Sequence, residues 1–175
     1  MVTEAFEPNT DELVANNEAF AADFADTDMS SPPSRHVAVV ACMDARMDVH
    51  QILGLGNGEA HIIRNAGGVL SDDAIRSLCL SQRALGTREI ILLHHTKCGL
   101  QGIDEAAFYA EVEADVGVAP DWSLHSFDDP EVDVREAMER LYASPFVPHT
   151  DHVRGFVYDV ADGRLHEVTY PGTDA

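Results

Sequence analysis

The stretch VAVVACMDAR, residues 37–46, joins an uninterrupted apolar run to a cysteine, an aspartate and an arginine. A second stretch, EIILLHHTKCG at residues 89–99, joins another apolar run to His95 and Cys98. Short apolar runs of this kind are typical of buried parallel strands. The carboxyl ends of neighbouring parallel strands meet at one edge of an open α/β sheet, which is where such sheets bind ligands. The two stretches therefore predict that Cys42, His95 and Cys98 lie together at that edge.

Two thiolates and one imidazole form a ligand set that suits zinc. Structural zinc is usually closed by four protein ligands, whereas catalytic zinc keeps three and leaves the fourth position open. Cys79 lies in the middle of a helical pattern and is a poor fourth ligand, whereas Asp44 is the nearby carboxylate that can fill the position. Arg46 is placed to hold Asp44 by charge-assisted hydrogen bonds instead. The residues by themselves are compatible with both an open and a closed metal site.

The two-part signature, Cys42-x-Asp44-x-Arg46 followed by His95-x-x-Cys98, resembles the β-class carbonic anhydrases. The likeness runs from about Arg35 to Tyr170. It also includes RNAGG at 64–68, IRS at 75–77, ALG at 84–86 and GFVYDV at 155–160. The compact length is similar to that of the short archaeal-type members.

The resemblance implies a Zn²⁺ enzyme that reversibly hydrates carbon dioxide to bicarbonate and a proton through zinc-bound hydroxide. It assigns Asp44 to accept a hydrogen bond from the hydroxide and Arg46 to orient Asp44. Two thiolates neutralise the charge of the metal, so we expect activity to favour alkaline conditions. The pocket is expected to include Ala66, Gly67, Gly68 and Gly99. Gly67 and Gly68 would let the backbone approach the metal closely, and a plain turn at the end of the strand is the alternative.

Two other functions are compatible with these residues. A carbon disulfide or carbonyl sulfide hydrolase of the same fold shares the ligand set. A non-catalytic zinc-binding protein, with the site closed by Asp44, is the third interpretation. Asp44 is also a candidate switch, since breaking from Arg46 would let it bind the metal at lower pH.

Two positions depart from the family pattern: His94 stands where glycine is expected, and Lys97 where an acidic or small residue is common. An imidazole titrates near neutrality, so His94 is a candidate proton relay. Strand alternation opposes that role, because neighbours on a strand point to opposite faces and His95 must face the metal. The other seven histidines lack ligand spacing, and no second metal is expected.

Composition narrows the class of protein further. The 175 residues include 31 acidic and 11 basic ones, for a formal charge of -20, and Lys97 is the one lysine. Nucleic acid is therefore an unsuitable partner. An acidic, lysine-poor surface fits a halophile, since concentrated salt screens self-repulsion; an acidic mesophilic protein is the alternative. The acidic amino terminus and the short apolar runs predict neither export nor a membrane span, and hence a cytoplasmic protein.

The element pattern predicts a three-layer α/β fold, with a central, mostly parallel sheet of four to five strands flanked by helices. Residues 1–34 are predicted to form a dimerisation helix and linker, and residues 35–175 a single α/β zinc-binding catalytic domain. Asn9 and Glu12 form a candidate capping pair for a helix to about Phe24. Ser71 is expected to cap a helix that runs to Gly86, with Ile75, Leu78 and Leu85 inward and Cys79 a buried core residue.

The amino-terminal helix carries an apolar stripe of Leu13, Phe20 and Phe24, and the segment SPPS at 31–34 separates it from the rest. We expect this stripe to be buried on a partner subunit; the alternative is a helix folded back on its own sheet. The resemblance likewise implies a homodimer or a dimer-based oligomer.

Overall fold

The computed structural model describes residues 6–171, which divide between Ser30 and Ser31 into two compact units. The first unit contains α1, Thr10–Ala22. The second contains all five strands, in the sheet order β2-β1-β3-β4-β5. These are β1 Val37–Cys42, β2 Ala60–Asn65, β3 Glu89–His95, β4 Val153–Tyr158 and β5 Leu165–Val168. Its helices are α2 Val49–Leu53, α3 Asp72–Arg83, α4 Glu105–Val116 and α5 Pro130–Ala143.

The first four strands of the sheet order are parallel, and β5 returns antiparallel to β4. Strand β1 lies between β2 and β3, and its residues 38–41 are fully buried, as a continuous apolar run predicts for a strand covered on both faces. In the register of β1 with β3, Ala41 lies beside Leu93. The carboxyl ends of these two strands therefore finish next to each other, carrying Cys42 and His95.

Alternate residues of the central strands face two different apolar clusters. Ala38 and Val40 face one cluster, to which α3 and α5 contribute Leu78, Val134 and Leu141. The opposite faces pack against a second set that includes Met47, Val49, Leu93, Cys98, Leu100 and Phe127. The predicted three-layer α/β fold with a mostly parallel sheet is confirmed.

The amino-terminal helix has no buried residue. Leu13, Phe20 and Phe24 are exposed, and the rings of Phe20 and Phe24 lie 5.5 Å apart. Asn9 occupies the N-cap position, but its side chain makes no capping hydrogen bond, so the predicted capping pair is wrong. The backbone of Asn9, at φ -112° and ψ 14°, lacks the extended conformation that N-cap residues adopt. What covers this helix stays a prediction.

The α3 helix is shorter than predicted. Ser71 caps it as expected, its hydroxyl accepting from the Ala74 N–H at 3.3 Å. The helix ends at Arg83 rather than Gly86, because the chain turns at Gly86, in the left-handed region, to enter β3. Leu85 and Cys79 are only half-buried, so the predicted burial of Cys79 is wrong. Cys79 follows Leu78, the residue that faces the core, and a helix rotates each residue by about 100° from the last.

Among residues 6–171, no helix is both long and apolar enough to cross a membrane.

Gly155 provides a test of the packing between β4 and α5. An added Cβ would lie 2.3 Å from Val134 Cγ1 and 2.5 Å from Met138 Cε, where α5 crosses β4. We expect Gly155→Ala to lower the free energy of unfolding by about 1–3 kcal/mol through overpacking, measured by urea denaturation. Gly56→Ala is the control, since its added Cβ has no contact shorter than 3.6 Å. Equal midpoints for the two variants would contradict the packing described.

Candidate metal centre

Cys42, His95 and Cys98 meet at the carboxyl edge of the sheet, as the sequence predicts. All three are buried, and their ligand atoms lie within 4.8 Å of one another. The sulfur atoms of Cys42 and Cys98 are 3.9 Å apart. Two thiolates at about 2.3 Å from one tetrahedral zinc ion would be about 3.8 Å apart. The spacing therefore fits a shared metal ion rather than a disulfide, which needs sulfurs in covalent contact.

The orientation of His95 leaves one ring nitrogen free to bind a metal. Its Nδ1 lies 3.0 Å from the Thr96 carbonyl oxygen, so Nδ1 carries the proton and donates it. Nε2 is buried and has no hydrogen-bond partner in the described part of the chain. His95 is close enough to Cys42 for each group to affect the pKa of the other. A buried lone pair held beside two sulfurs matches the chemistry of a metal ligand.

The pKa values of the two thiols are shifted in opposite directions. Burial opposes ionisation of Cys42, but His95 and the backbone N–H groups of Asp44 and Gly67 outweigh it and lower the pKa of that thiol. Burial raises the pKa of Cys98, and the neighbouring Cys42 thiolate adds to the effect. Burial lowers the pKa of His95, but the Cys42 thiolate outweighs it, so the net shift is upward. A cation between the sulfurs would favour both thiolates, because thiolate is the form that binds metal.

Asp44 and Arg46 form a bidentate ion pair beside the cluster. Asp44 Oδ1 accepts from the Arg46 backbone N–H at 2.9 Å and from its Nε at 2.8 Å, and Oδ2 accepts from Nη2 at 2.7 Å. These bonds hold the pKa of Asp44 well below its usual range. Asp44 Oδ2 also lies 3.7 Å from His95 Nε2, so the carboxylate faces the proposed metal position while paired with Arg46.

Contacts that the sequence analysis did not identify hold the two ligand loops. Arg46 Nη2 also donates to the Lys97 carbonyl at 2.9 Å, which joins the loop of Asp44 to that of Cys98. Arg64 donates from Nε to the Cys42 carbonyl at 2.9 Å and from Nη2 to the Asp44 carbonyl at 2.8 Å. The signal available in the sequence was the position of Arg64 at the end of β2, next to β1 in the sheet.

Thr96 supports the ligand histidine. Its hydroxyl donates to Asp159 Oδ1 at 3.1 Å and accepts from the Val160 N–H at 3.2 Å, while its carbonyl receives His95 Nδ1–H. A hydrogen bond from the other ring nitrogen of a histidine ligand fixes the tautomer and the orientation of the ring. Sequence spacing does not show it, because Asp159 is distant in the chain.

The predicted pocket residues occupy different positions. Gly67 and Gly68 are buried with φ of +78° and +73°, and a Cβ on Gly68 would lie 2.7 Å from the Cys42 backbone nitrogen. Only glycine allows this close approach to the ligand strand. Ala66 is half-buried in the same turn. Gly99 is exposed, and a Cβ added there would meet nothing within 4 Å.

His94 points to the other face of the sheet, as alternation along β3 predicts. It is fully buried, and its Nε2 lies 2.5 Å from Asp133 Oδ2 on α5.

A second group of potential ligands, Asp159, Asp162 and His166, lies within 4.8 Å, near the turn between β4 and β5. Sequence spacing did not indicate it. Two of the three residues are exposed, and exposed acidic groups of this kind are common without a metal.

The chain is similar in sequence and in fold to known carbonic anhydrases. The family model described as "Carbonic anhydrase" matches residues 37–126. The chain is 51% identical to Beta-carbonic anhydrase 1 of Mycobacterium tuberculosis, over 91% of this chain and 98% of that protein. It is 33% identical to the carbon disulfide hydrolase of Acidianus sp., over 78% of each chain.

Among solved structures, the carbonic anhydrase from Streptococcus mutans superposes with a TM-score of 0.87 at 40% identity, covering 94% of this chain and 100% of that one. The carbonic anhydrase from Glaciozyma antarctica gives 0.84 at 35% identity, covering 93% and 100%. The sequence identity and the fold agree along nearly the whole length, and the family model matches about half of the chain. This chain belongs to the β-carbonic anhydrase family.

Proposed function

We propose that this protein catalyses the reversible hydration of carbon dioxide to bicarbonate and a proton, with Cys42, His95 and Cys98 holding a zinc ion. The observation that carries the proposal is the buried Nε2 of His95, which has no hydrogen-bond partner among residues 6–171 and lies beside two sulfurs 3.9 Å apart. The donor set of one imidazole and two thiolates suits zinc. The 51% identity to the mycobacterial enzyme supports the same assignment.

Three protein ligands would leave one coordination position of a zinc ion for a water molecule. A zinc ion held there would supply a strong nucleophile in neutral solution by lowering the pKa of a water to about 7. Two thiolate ligands reduce the charge that the ion presents to that water, which supports activity at alkaline pH.

Asp44 has the geometry to orient the attacking water. Because Arg46 lowers its pKa, the carboxylate stays ionised across the working pH range and acts only as an acceptor. A pure acceptor binds the proton of the attacking oxygen and leaves its lone pair directed at carbon dioxide. Arg46 is the positioning residue, since its three hydrogen bonds hold both Asp44 oxygens. The proton released on hydration passes to buffer.

A carbon disulfide hydrolase is the alternative enzyme, supported by 33% identity to the Acidianus protein. Its support is weaker, because identity and coverage are both lower than for the mycobacterial carbonic anhydrase. A closed, purely structural zinc site would need Asp44 as a ligand, and both oxygens of Asp44 are bonded to Arg46.

We infer a salt-rich cell from the acidic, lysine-poor composition, and the cytoplasmic location stays a prediction. The fitting assay medium is therefore molar potassium chloride.

We expect zinc-loaded protein to hydrate carbon dioxide in stopped-flow measurements at alkaline pH, with one zinc per chain. Chelation should abolish the rate and added zinc restore it, because the metal activates the attacking water. One zinc per chain without carbon dioxide turnover would overturn the proposal. Sulfide release from carbon disulfide would then support the hydrolase, and inactivity on both substrates would support a structural site.

Asp44→Asn should lower kcat about 100-fold or more while the zinc content stays at one per chain. The amide donates as well as accepts, so it no longer fixes the orientation of the attacking water, and its neutral oxygen bonds Arg46 less strongly. Asp73→Asn is the control, because Asp73 also pairs with an arginine, Arg76, but both side chains are exposed on α3. A kcat for Asp44→Asn equal to that of the control would exclude Asp44 from the reaction.

We infer a homodimer in which α1 of each chain lies on its partner, because Leu13 and Phe20 are 58% and 62% exposed. Light scattering should give about twice the 19.0 kDa of one chain. Replacing Leu13 and Phe20 together by Glu should shift the mass toward that of one chain, whereas Glu18→Gln on the same helix should not. A double variant that keeps the wild-type mass would place the interface elsewhere.

A further inference from the structure

His94 is a buried ionisable residue that the proposed reaction does not use. It directly precedes the proposed ligand His95 on β3, and its side chain is 0% exposed on the face covered by α5. Its Nε2 lies 2.5 Å from Asp133 Oδ2, in the first turn of α5. Its Nδ1 is buried and has no hydrogen-bond partner in the described part of the chain. An unpartnered lone pair costs less than an unpartnered N–H, so Nε2 carries the proton and donates to Asp133.

This hydrogen bond joins the end of β3 to α5 directly behind the metal centre. A hydrogen bond to an ionised acceptor is stronger than one between neutral groups, and a low local dielectric strengthens it further. His94 also pairs with Val157 of β4 in the sheet, so the backbone at this position is held from two directions. Displacing His94 would move His95, because the two share a peptide bond at the end of the strand.

The ring of His94 also supports the other two ligands through Phe127. The two rings lie 5.3 Å apart. The Phe127 carbonyl accepts from the Gly102 N–H at 2.9 Å, which holds the segment that follows Cys98. The Phe127 ring also reaches the Gly67 turn, since a Cβ on Gly67 would lie 3.3 Å from Phe127 Cε1. The Gly67 backbone N–H in turn contacts the Cys42 sulfur.

The same contacts oppose a role in proton transfer. A relay requires a continuous chain of hydrogen bonds from the metal position to solvent. His94 points away from the face that holds His95, and its second nitrogen makes no hydrogen bond among the described residues.

We propose that His94 and Asp133 are positioning residues for the metal centre: their part-buried hydrogen bond fixes the end of β3 and the Phe127 contact, and so controls how firmly the three ligands retain the metal. This inference rests on the zinc site proposed above. It assigns a role to the residue that replaces the glycine expected before the ligand histidine.

The test compares zinc release from three zinc-loaded variants with that from the wild type. Asp133→Ala leaves the His94 donor buried without its acceptor, whereas Asp133→Asn keeps an acceptor oxygen in place. Leu141→Ala is the matched control, because Leu141 is fully buried on the same helix but is not among the contacts of His94 given above. Zinc transfer to excess chromogenic chelator is timed at a temperature where circular dichroism shows all proteins folded, and the cobalt(II) absorption spectrum is recorded for each.

Asp133→Ala should release zinc about tenfold faster than the wild type and change the cobalt spectrum, as loss of support behind a metal ligand does. Asp133→Asn should restore most of the difference, and Leu141→Ala should release zinc at the wild-type rate. If Asp133→Ala does not fold, His94→Gln takes its place, and the expected result is the same acceleration.

The proposal would be overturned if Asp133→Ala released zinc at the wild-type rate, or if Leu141→Ala released zinc as fast as Asp133→Ala. Unchanged zinc release combined with a kcat loss that concentrated buffer restores would assign the pair to proton transfer instead. Zinc release does not require turnover, so the comparison remains decisive even if the wild-type protein proves inactive on carbon dioxide.

Discussion

The site depends on the parallel pairing of β1 with β3. That register sets Ala41 beside Leu93, so the chain leaves both strands at the same level and Cys42 emerges next to His95. A shift of one residue would turn every side chain of a strand to the other face and separate the ligands. The register is strongly specified, because both faces of these strands are buried in apolar clusters.

The electrostatics of the site contrast with those of the whole chain. A protein of formal charge -20 places two of its arginines, Arg46 and Arg64, at the loop that follows Cys42. Backbone N–H groups of Leu100 and Gln101 lie toward Cys98, and those of Asp44 and Gly67 toward Cys42. Fixed dipoles thus stabilise buried thiolates that would otherwise be costly to ionise in an apolar cluster.

The sequence was sufficient for the parts of this structure that local patterns encode. Apolar runs predicted β1 and β3. The residues directly after these runs predicted the ligand cluster, because the residues that follow a strand stay close to its end. The supports of the cluster were not predictable in this way. Arg64, Thr96 and Asp133 act through partners far away in sequence, and only the register of the sheet and the packing of α5 bring them into contact. The capping of α1 failed for a related reason: a capping pattern states which residues can bond, whereas backbone angles at Asn9 decide whether they do.

The balance between an open and a closed site rests on Arg46. For Asp44 to become a fourth ligand, its oxygens must leave two side-chain donors and one backbone donor of Arg46. Arg46 would then retain its bond to the Lys97 carbonyl, and its charge would lose its bonded carboxylate. Arg64 opposes the same movement from the other side, because it holds the carbonyl of Asp44 itself. Closure therefore requires the Asp44 side chain to turn against a backbone that two arginines hold in place, which favours the arrangement in which the fourth position stays accessible to water.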